Sequence, residues 1–131
     1  KYVIENNLSN NIRIVNYKKN PYPYLNKADF FILSSKYEGL PNVLLEAQFL
    51  KKPIISSNCP TGPREILING KAGFLFDVGN IRQLEKKIIF ISQKKNLKLL
   101  KLKCNLGFKF MDRFDYDVNM KKYYKLVIRF L

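Results

Sequence analysis

Four short apolar runs constrain the fold of this chain more than any other feature of its sequence. They cover residues 12–16, 30–35, 53–57 and 74–76, and segments of helical character separate the last three. The run FFILSS shows no alternation of apolar and polar residues, which predicts a strand buried on both faces. Strands that alternate with helices predict an α/β fold. We therefore expect a Rossmann-like parallel sheet with helices on both faces.

The segments between the strands carry helix signals. NVLLEAQFLKK, which begins at Asn42, has apolar residues at helical spacing, and Asn80 is the predicted cap of a helix that reaches about residue 93. Shorter helices are predicted at 22–28 and 63–69. Residues 94–131 are predicted to form two helices, and the candidates for the break and the second cap are Gly107, Asp115 and Asp117.

Composition limits the size of the fold and excludes several kinds of active site. The 131 residues are 47% apolar and 14% aromatic, which suits one compact domain with a real core. The chain has no histidine, which excludes Ser-His-Asp and Cys-His sites within it. Its two cysteines, Cys59 and Cys104, lie far apart and predict neither a disulfide framework nor a zinc site. No signal-peptide pattern is present, so a reducing, cytoplasmic setting is expected.

The charge balance is strongly basic. Lysine and arginine number 24 against 10 acidic residues, a net charge of +14. Such a field attracts phosphate-bearing partners: nucleic acid, anionic lipid or a nucleotide. The alternative, that solvated lysines cover every surface, is favoured because lysine and asparagine are abundant all along the chain. A nucleic-acid-binding role would therefore depend on charge alone.

The loop after the second apolar run concentrates the residues that suit a ligand. In parallel sheets, ligands bind outside the carboxyl ends of the strands. Glu38 lies in this loop, Glu46 lies about one turn into the next helix, and Gly39 permits a close approach. The helix start near Asn42 suits a phosphate, and carboxylates bind vicinal hydroxyls. The set therefore suits a phosphate between two polyhydroxylated groups, although spacing alone favours solvated glutamates.

The motif EGLPNVLLE has two glutamates separated by seven residues. ADFFILSS precedes it, and KKPIISSNCPTGPREILINGKAGFLF follows it. These ordered blocks resemble the carboxyl-terminal donor-binding domain of family 4 glycosyltransferases, which are retaining enzymes with two Rossmann-like domains (the GT-B fold). The resemblance covers residues 12–93, and residues 94–131 resemble the closing helices. It implies one half of a GT-B fold without its first strand–helix units.

The resemblance also implies roles for individual residues. Glu38 would bind hydroxyls of the transferred sugar and take part in catalysis, and Glu46 would bind the ribose. Tyr17 and Lys18 would lie along the nucleobase. The residues between the glutamates would contact the sugar and the diphosphate through backbone groups: Gly39, Leu40, Pro41, Asn42, Val43 and Leu44.

The implied reaction moves a hexosyl or N-acetylhexosaminyl group to a glycan or lipid-linked acceptor, with retention. The donor is a nucleotide-diphosphate sugar, UDP being favoured, and no metal or other cofactor is implied. The family's glycine-rich first loop, with its arginine and lysine, does not precede Lys1, so a fragment with little activity is expected. The alternative is a non-catalytic nucleotide-binding or nucleotide-sugar-binding module. The aromatic, basic tail also suits contact with the inner face of an anionic membrane.

Overall fold

The computed structural model describes residues 1–128 and contains a three-stranded parallel sheet. The strands are β1 (Phe31–Leu33), β2 (Ile54–Ser57) and β3 (Phe74–Phe76), in the order β1-β2-β3. Phe31 pairs with Ile54, and Ile55 pairs with Phe74. All three strands coincide with predicted apolar runs, which confirms the parallel sheet.

Seven α-helices accompany the sheet within residues 1–128. Asn80 caps the helix at Ile81–Ser92 by accepting a hydrogen bond from the Gln83 amide at 3.0 Å, as predicted. Asp115, rather than Asp117, caps the helix at Tyr116–Val127 through the Val118 amide at 2.9 Å, and Gly107 lies inside the helix at Leu97–Lys109. The expected end of the last helix at residue 131 lies outside the described residues. The helices are α1 (Tyr2–Glu5), α2 (Tyr22–Lys27), α3 (Asn42–Phe49), α4 (Pro63–Ile66), α5 (Ile81–Ser92), α6 (Leu97–Lys109) and α7 (Tyr116–Val127).

Apolar clusters cover both faces of the sheet. Successive side chains of a strand point to opposite faces, and accordingly Ile54 belongs to one cluster and Ile55 to the other. The first cluster joins Ile54 to helices α3 and α4, through residues such as Leu44 and Ile66. The second joins Ile55 to α5 and α6. This two-sided packing confirms the predicted Rossmann-like architecture, and the helices of residues 1–128 include none with the length and apolar character of a membrane span.

The predicted strand at residues 12–16 is wrong. The segment is coil, and the side chain of Ile14 is 73% exposed. A strand needs a hydrogen-bonding neighbour, and the sheet within residues 1–128 offers residues 12–16 none. β1 is also only half-buried rather than buried on both faces, because it lies at the edge of the described sheet.

The turn that leads into β3, residues 68–73, is held by a lysine from α6. The Lys103 ammonium donates hydrogen bonds to the carbonyl oxygens of Gly70 at 2.6 Å and Gly73 at 3.1 Å. Burial, and then the charge of Lys87, lowers the pKa of Lys103. A Cβ atom on Gly73 would lie 2.9 Å from the Leu67 side chain, so the turn packs tightly. The turn at the amino end of β3 is therefore closed by protein groups.

Candidate functional site

Two loops meet where β1 and β2 end. We call residues 34–41, after β1, the first loop, and residues 58–62, after β2, the second loop. Ser57, the last residue of β2, donates its hydroxyl to the Ser35 carbonyl at 2.6 Å. Thr61 of the second loop donates its hydroxyl to the Glu38 carbonyl. The carboxyl ends of neighbouring parallel strands thus bring the two loops into contact, as the topology requires.

Two glycines define the closed and open sides of the first loop. A Cβ atom on Gly62 would fall on the Gly39 carbonyl oxygen and within 2.6 Å of Pro41 Cδ, and Gly62 has a φ of +79°. A Cβ atom on Gly39 would meet nothing within 4 Å. Gly62 is therefore required by the packing between the loops. Gly39 is not required by the fold, and the space beside it is open to a ligand.

Helix α3 begins directly after the first loop with no side-chain cap. Pro41 occupies the N-cap position and is buried, whereas Asn42 is exposed. The Leu44 side chain is buried in the core, and its amide donates to the Pro41 carbonyl at 2.9 Å. The first amides of a helix have no acceptor within it and carry a partial positive charge. Among the expected phosphate contacts, the amides of Asn42 and Val43 therefore suit the diphosphate better than that of Leu44.

The two glutamates of the motif lie in different surroundings, and both are half-buried. Glu38 lies in the first loop, with its backbone carbonyl held by Thr61. Glu46 lines a shallow depression of about 340 Å³ that Glu38 does not line. The side chains around Glu46 are almost all apolar or aromatic: Tyr22, Leu45, Phe49, Leu50 and Met111.

The nucleobase candidates lie apart from this depression. Tyr17 is 90% exposed and Lys18 is exposed, and both belong to the coil that follows residues 12–16. The aromatic ring that shares a depression with Glu46 is that of Tyr22, at the start of α2. Sequence reasoning did not single out Tyr22. The only signal was its place in NPYPY, residues 20–24, where a turn leads into the helix predicted at 22–28.

Helix α4, which follows the second loop, also presents a cation at this edge of the sheet. Arg64, in α4, is exposed, and its Nε donates to the Asn58 side chain at 3.0 Å. This bond directs the guanidinium towards the second loop rather than leaving it free in solvent. The edge therefore combines carboxylates, open helix amides and the positive charge of Arg64, which are groups that suit a phosphate and a polyhydroxylated ligand.

Comparison with known proteins agrees with this geometry. Residues 1–109 match the model of the family described as glycosyl transferases group 1. The chain belongs to this family. Over 61 residues, 47% of this chain, it is 49% identical to an uncharacterized glycosyltransferase of Methanocaldococcus jannaschii. Over 76 residues, 58% of the chain, this group 1 member is 32% identical to the N-acetylgalactosamine-N,N'-diacetylbacillosaminyl-diphospho-undecaprenol 4-alpha-N-acetylgalactosaminyltransferase of Campylobacter jejuni.

Solved structures show the same fold. A mutant of Staphylococcus aureus TarM, crystallised with fondaparinux, alpha-GlcNAc-glycerol and UDP, matches with a TM-score of 0.81 at 21% identity. The match covers 95% of this group 1 chain and 25% of that one. The two sequence matches cover 15% and 21% of the relatives' own lengths. The chain thus corresponds to one part of longer glycosyltransferases.

Proposed function

We propose that this chain is the donor-binding part of an enzyme that transfers an N-acetylhexosaminyl or hexosyl group from a UDP-sugar to a glycan or lipid-linked acceptor, with retention. The observation that carries the proposal is the first loop, which presents Glu38 beside open space at Gly39 and leads into an uncapped helix. The Campylobacter relative, named for transfer to a diphospho-undecaprenol-linked sugar, and the TarM complex with UDP support the donor and acceptor classes.

The proposed roles follow from the chemistry at each position. The Glu38 carboxylate binds hydroxyls of the transferred sugar next to the reacting carbon, and Glu46 binds the ribose hydroxyls. The amides of Asn42 and Val43 receive the diphosphate, whose negative charge increases as the sugar leaves, so these dipoles stabilise the leaving group. Tyr22, beside Glu46, supplies an aromatic surface to the nucleoside. The proposal includes no bound metal, and a chelator should leave donor binding unchanged.

The acceptor and the full reaction require residues beyond this chain. The relatives above are several times longer than the regions that match. Two-domain transferases of this type close an acceptor domain over the donor domain. We therefore expect the 131 residues alone to bind donor while transferring little sugar, and sustained transfer by this chain would contradict that expectation.

We also propose that the enzyme works at the inner, cytoplasmic face of a membrane, where helix α7 contacts anionic lipid. Tyr116, Tyr123 and Tyr124 share one exposed face of α7, and its lysines lie on the other. Aromatic rings beside lysines suit the interface of an anionic bilayer. Sedimentation with phosphatidylglycerol vesicles, but not with phosphatidylcholine vesicles, is the expected result. Equal recovery with both vesicle types would contradict it.

Titration with nucleotides tests the donor site directly. UDP, GDP and UDP-N-acetylglucosamine are added in turn to the isotopically labelled chain and followed by heteronuclear NMR. Shifts are expected at residues 38–46, and they should be larger with the uridine ligands. Glu46→Gln should weaken binding by about 10-fold or more, since a hydrogen bond to a charged group contributes about 1.5–3 kcal/mol.

Two variants control this titration. Glu38→Gln should weaken binding of the UDP-sugar more than that of UDP, because only the former carries the transferred sugar. Glu85→Gln changes an exposed glutamate on α5 and should leave both affinities unchanged. Absence of any shift at millimolar ligand, or equal effects of all three variants, would contradict the proposed function.

A further inference from the structure

We propose that Thr61 is a positioning residue that orders the first loop at Glu38 and thereby sets the affinity for the donor. The inference deepens the proposed function and depends on it for the ligand. Thr61 is not part of the Glu-x7-Glu motif, and it acts through its hydrogen bond to the Glu38 carbonyl.

The first loop is anchored at three places, by Ser57 at the end of β2 and by Thr61 and Gly62 of the second loop. Ser57 holds the Ser35 carbonyl at 2.6 Å, near the start of the first loop. Gly62 packs against Gly39 and Pro41 at its end. Thr61 holds the middle, at Glu38 itself. Ser57 and Thr61 hold the first loop through hydrogen bonds to its backbone carbonyl groups, and Gly62 holds it by packing.

The anchoring segment is itself fixed in place. Cys59, between Ser57 and Thr61, is buried, and its sulfur lies 4.0 Å from the Ser57 hydroxyl and 4.0 Å from the Thr61 carbonyl. Ser57 is likewise buried, as the last residue of β2. Thr61 therefore extends from a rigid support, and this allows one hydroxyl to restrain the first loop.

Loss of the Thr61 anchor has a different consequence from loss of the Ser57 or Gly62 anchor. Ser57 and Gly62 hold the ends of the first loop and would keep it closed without Thr61. Glu38 would then be free to rotate about its own backbone, and its carboxylate would lose a fixed direction. A ligand that needs this carboxylate must then pay the cost of ordering it, which lowers affinity without unfolding the protein.

Two substitutions separate the hydroxyl from the shape of the side chain. Thr61→Val removes the hydroxyl and keeps the branched shape, whereas Thr61→Ser keeps the hydroxyl. In the free chain, NMR relaxation should show that the backbone order parameters of Gly39 and Leu40 fall from about 0.85 in the unmodified chain to below about 0.6 in Thr61→Val. The affinity for UDP-N-acetylglucosamine should fall by about three- to ten-fold, the range expected for one hydrogen bond. Thr61→Ser should restore both values.

Ser92 supplies the matched control. Its hydroxyl donates to the Ile88 carbonyl at 2.8 Å on the exposed end of α5. Ser92→Ala also removes a hydroxyl-to-carbonyl hydrogen bond, but outside the first loop. The backbone order of Gly39 and Leu40 and the affinity for UDP-N-acetylglucosamine should therefore stay as in the unmodified chain. The melting temperature of each variant shows that it is folded.

The two measurements distinguish the possible failures. Unchanged order parameters in Thr61→Val would overturn the inference, and so would lowered order parameters with unchanged donor affinity. If the unmodified chain binds no donor, the proposed function fails. The order parameters alone then decide whether Thr61 orders the first loop.

Discussion

The turn that leads into β3 and the loops that follow β1 and β2 are built in contrasting ways. The turn 68–73, at the amino end of β3, is closed, with its carbonyl groups bound by Lys103 and Gly73 packed against Leu67. At the carboxyl end of the sheet, Gly62 closes one side of the first loop while the other side stays open at Gly39. The turn before β3 therefore serves stability. At the carboxyl end, close packing at Gly62 holds the backbone of the first loop in place, and the space beside Gly39 stays open to a ligand.

Gly62→Ala should have the largest effect on stability, because it forces apart the two loops at the carboxyl end. The new Cβ would overlap the Gly39 carbonyl, and the positive φ adds backbone strain. We expect a loss of about 3 kcal/mol or more in the free energy of unfolding, measured by urea denaturation.

Gly79 provides an unusually close control for this substitution. It has the same φ of +79°, but a Cβ there would meet nothing within 4 Å. Gly79→Ala should therefore cost only the backbone part, about 1 kcal/mol. Equal losses for Gly62→Ala and Gly79→Ala would show that contact between the loops contributes nothing.

Lys103→Met tests the closed turn before β3. The half-buried ammonium loses its hydrogen bonds to the turn carbonyls, while the apolar stem is kept. The expected loss is about 1–2 kcal/mol in the free energy of unfolding, with donor affinity unchanged. Lys98→Met, an exposed lysine on the same helix, should leave both quantities unchanged. A large loss of donor affinity in Lys103→Met would contradict the contrast between this turn and the two loops at the carboxyl end.

The smallest predicted effect is a pH dependence from Cys104 in α6. Burial raises the pKa of this thiol in the folded protein. Between the unfolded and folded pKa values, the native state retains a proton that the unfolded state has lost, so stability falls as pH rises through that alkaline window. Cys104→Ala should flatten this part of the profile, as measured by urea denaturation between pH 8 and 11. An unchanged slope would exclude the thiol as its cause.

Most of the fold could be predicted because its signals are local. The apolar runs at β2 and β3 and the capping residue Asn80 act through neighbours in the sequence. The run at residues 12–16 has the same local signal as a strand, yet it is coil. A strand also needs a partner, and no partner is encoded within the run itself.

The site could be predicted only in part, for a similar reason. Glu38 and Glu46 belong to one continuous motif, and the parallel topology places the first loop at the carboxyl edge. Thr61 and Tyr22 contribute through contacts with residues more than 20 positions away along the chain. Their side chains carry no signal of their own. The roles of Tyr17 and Lys18 stay predictions.

Gly39→Ala tests most directly the claim that the carboxyl end is kept open for a ligand. Because Gly39 has no positive φ and its Cβ position is empty, the variant should fold with stability unchanged or raised by about 0.5 kcal/mol. Its affinity for UDP-N-acetylglucosamine, measured by NMR titration beside the unmodified chain, should fall at least about 10-fold, since the methyl group would occupy ligand space. A variant that folds normally and binds the donor as tightly as the unmodified chain would contradict the account.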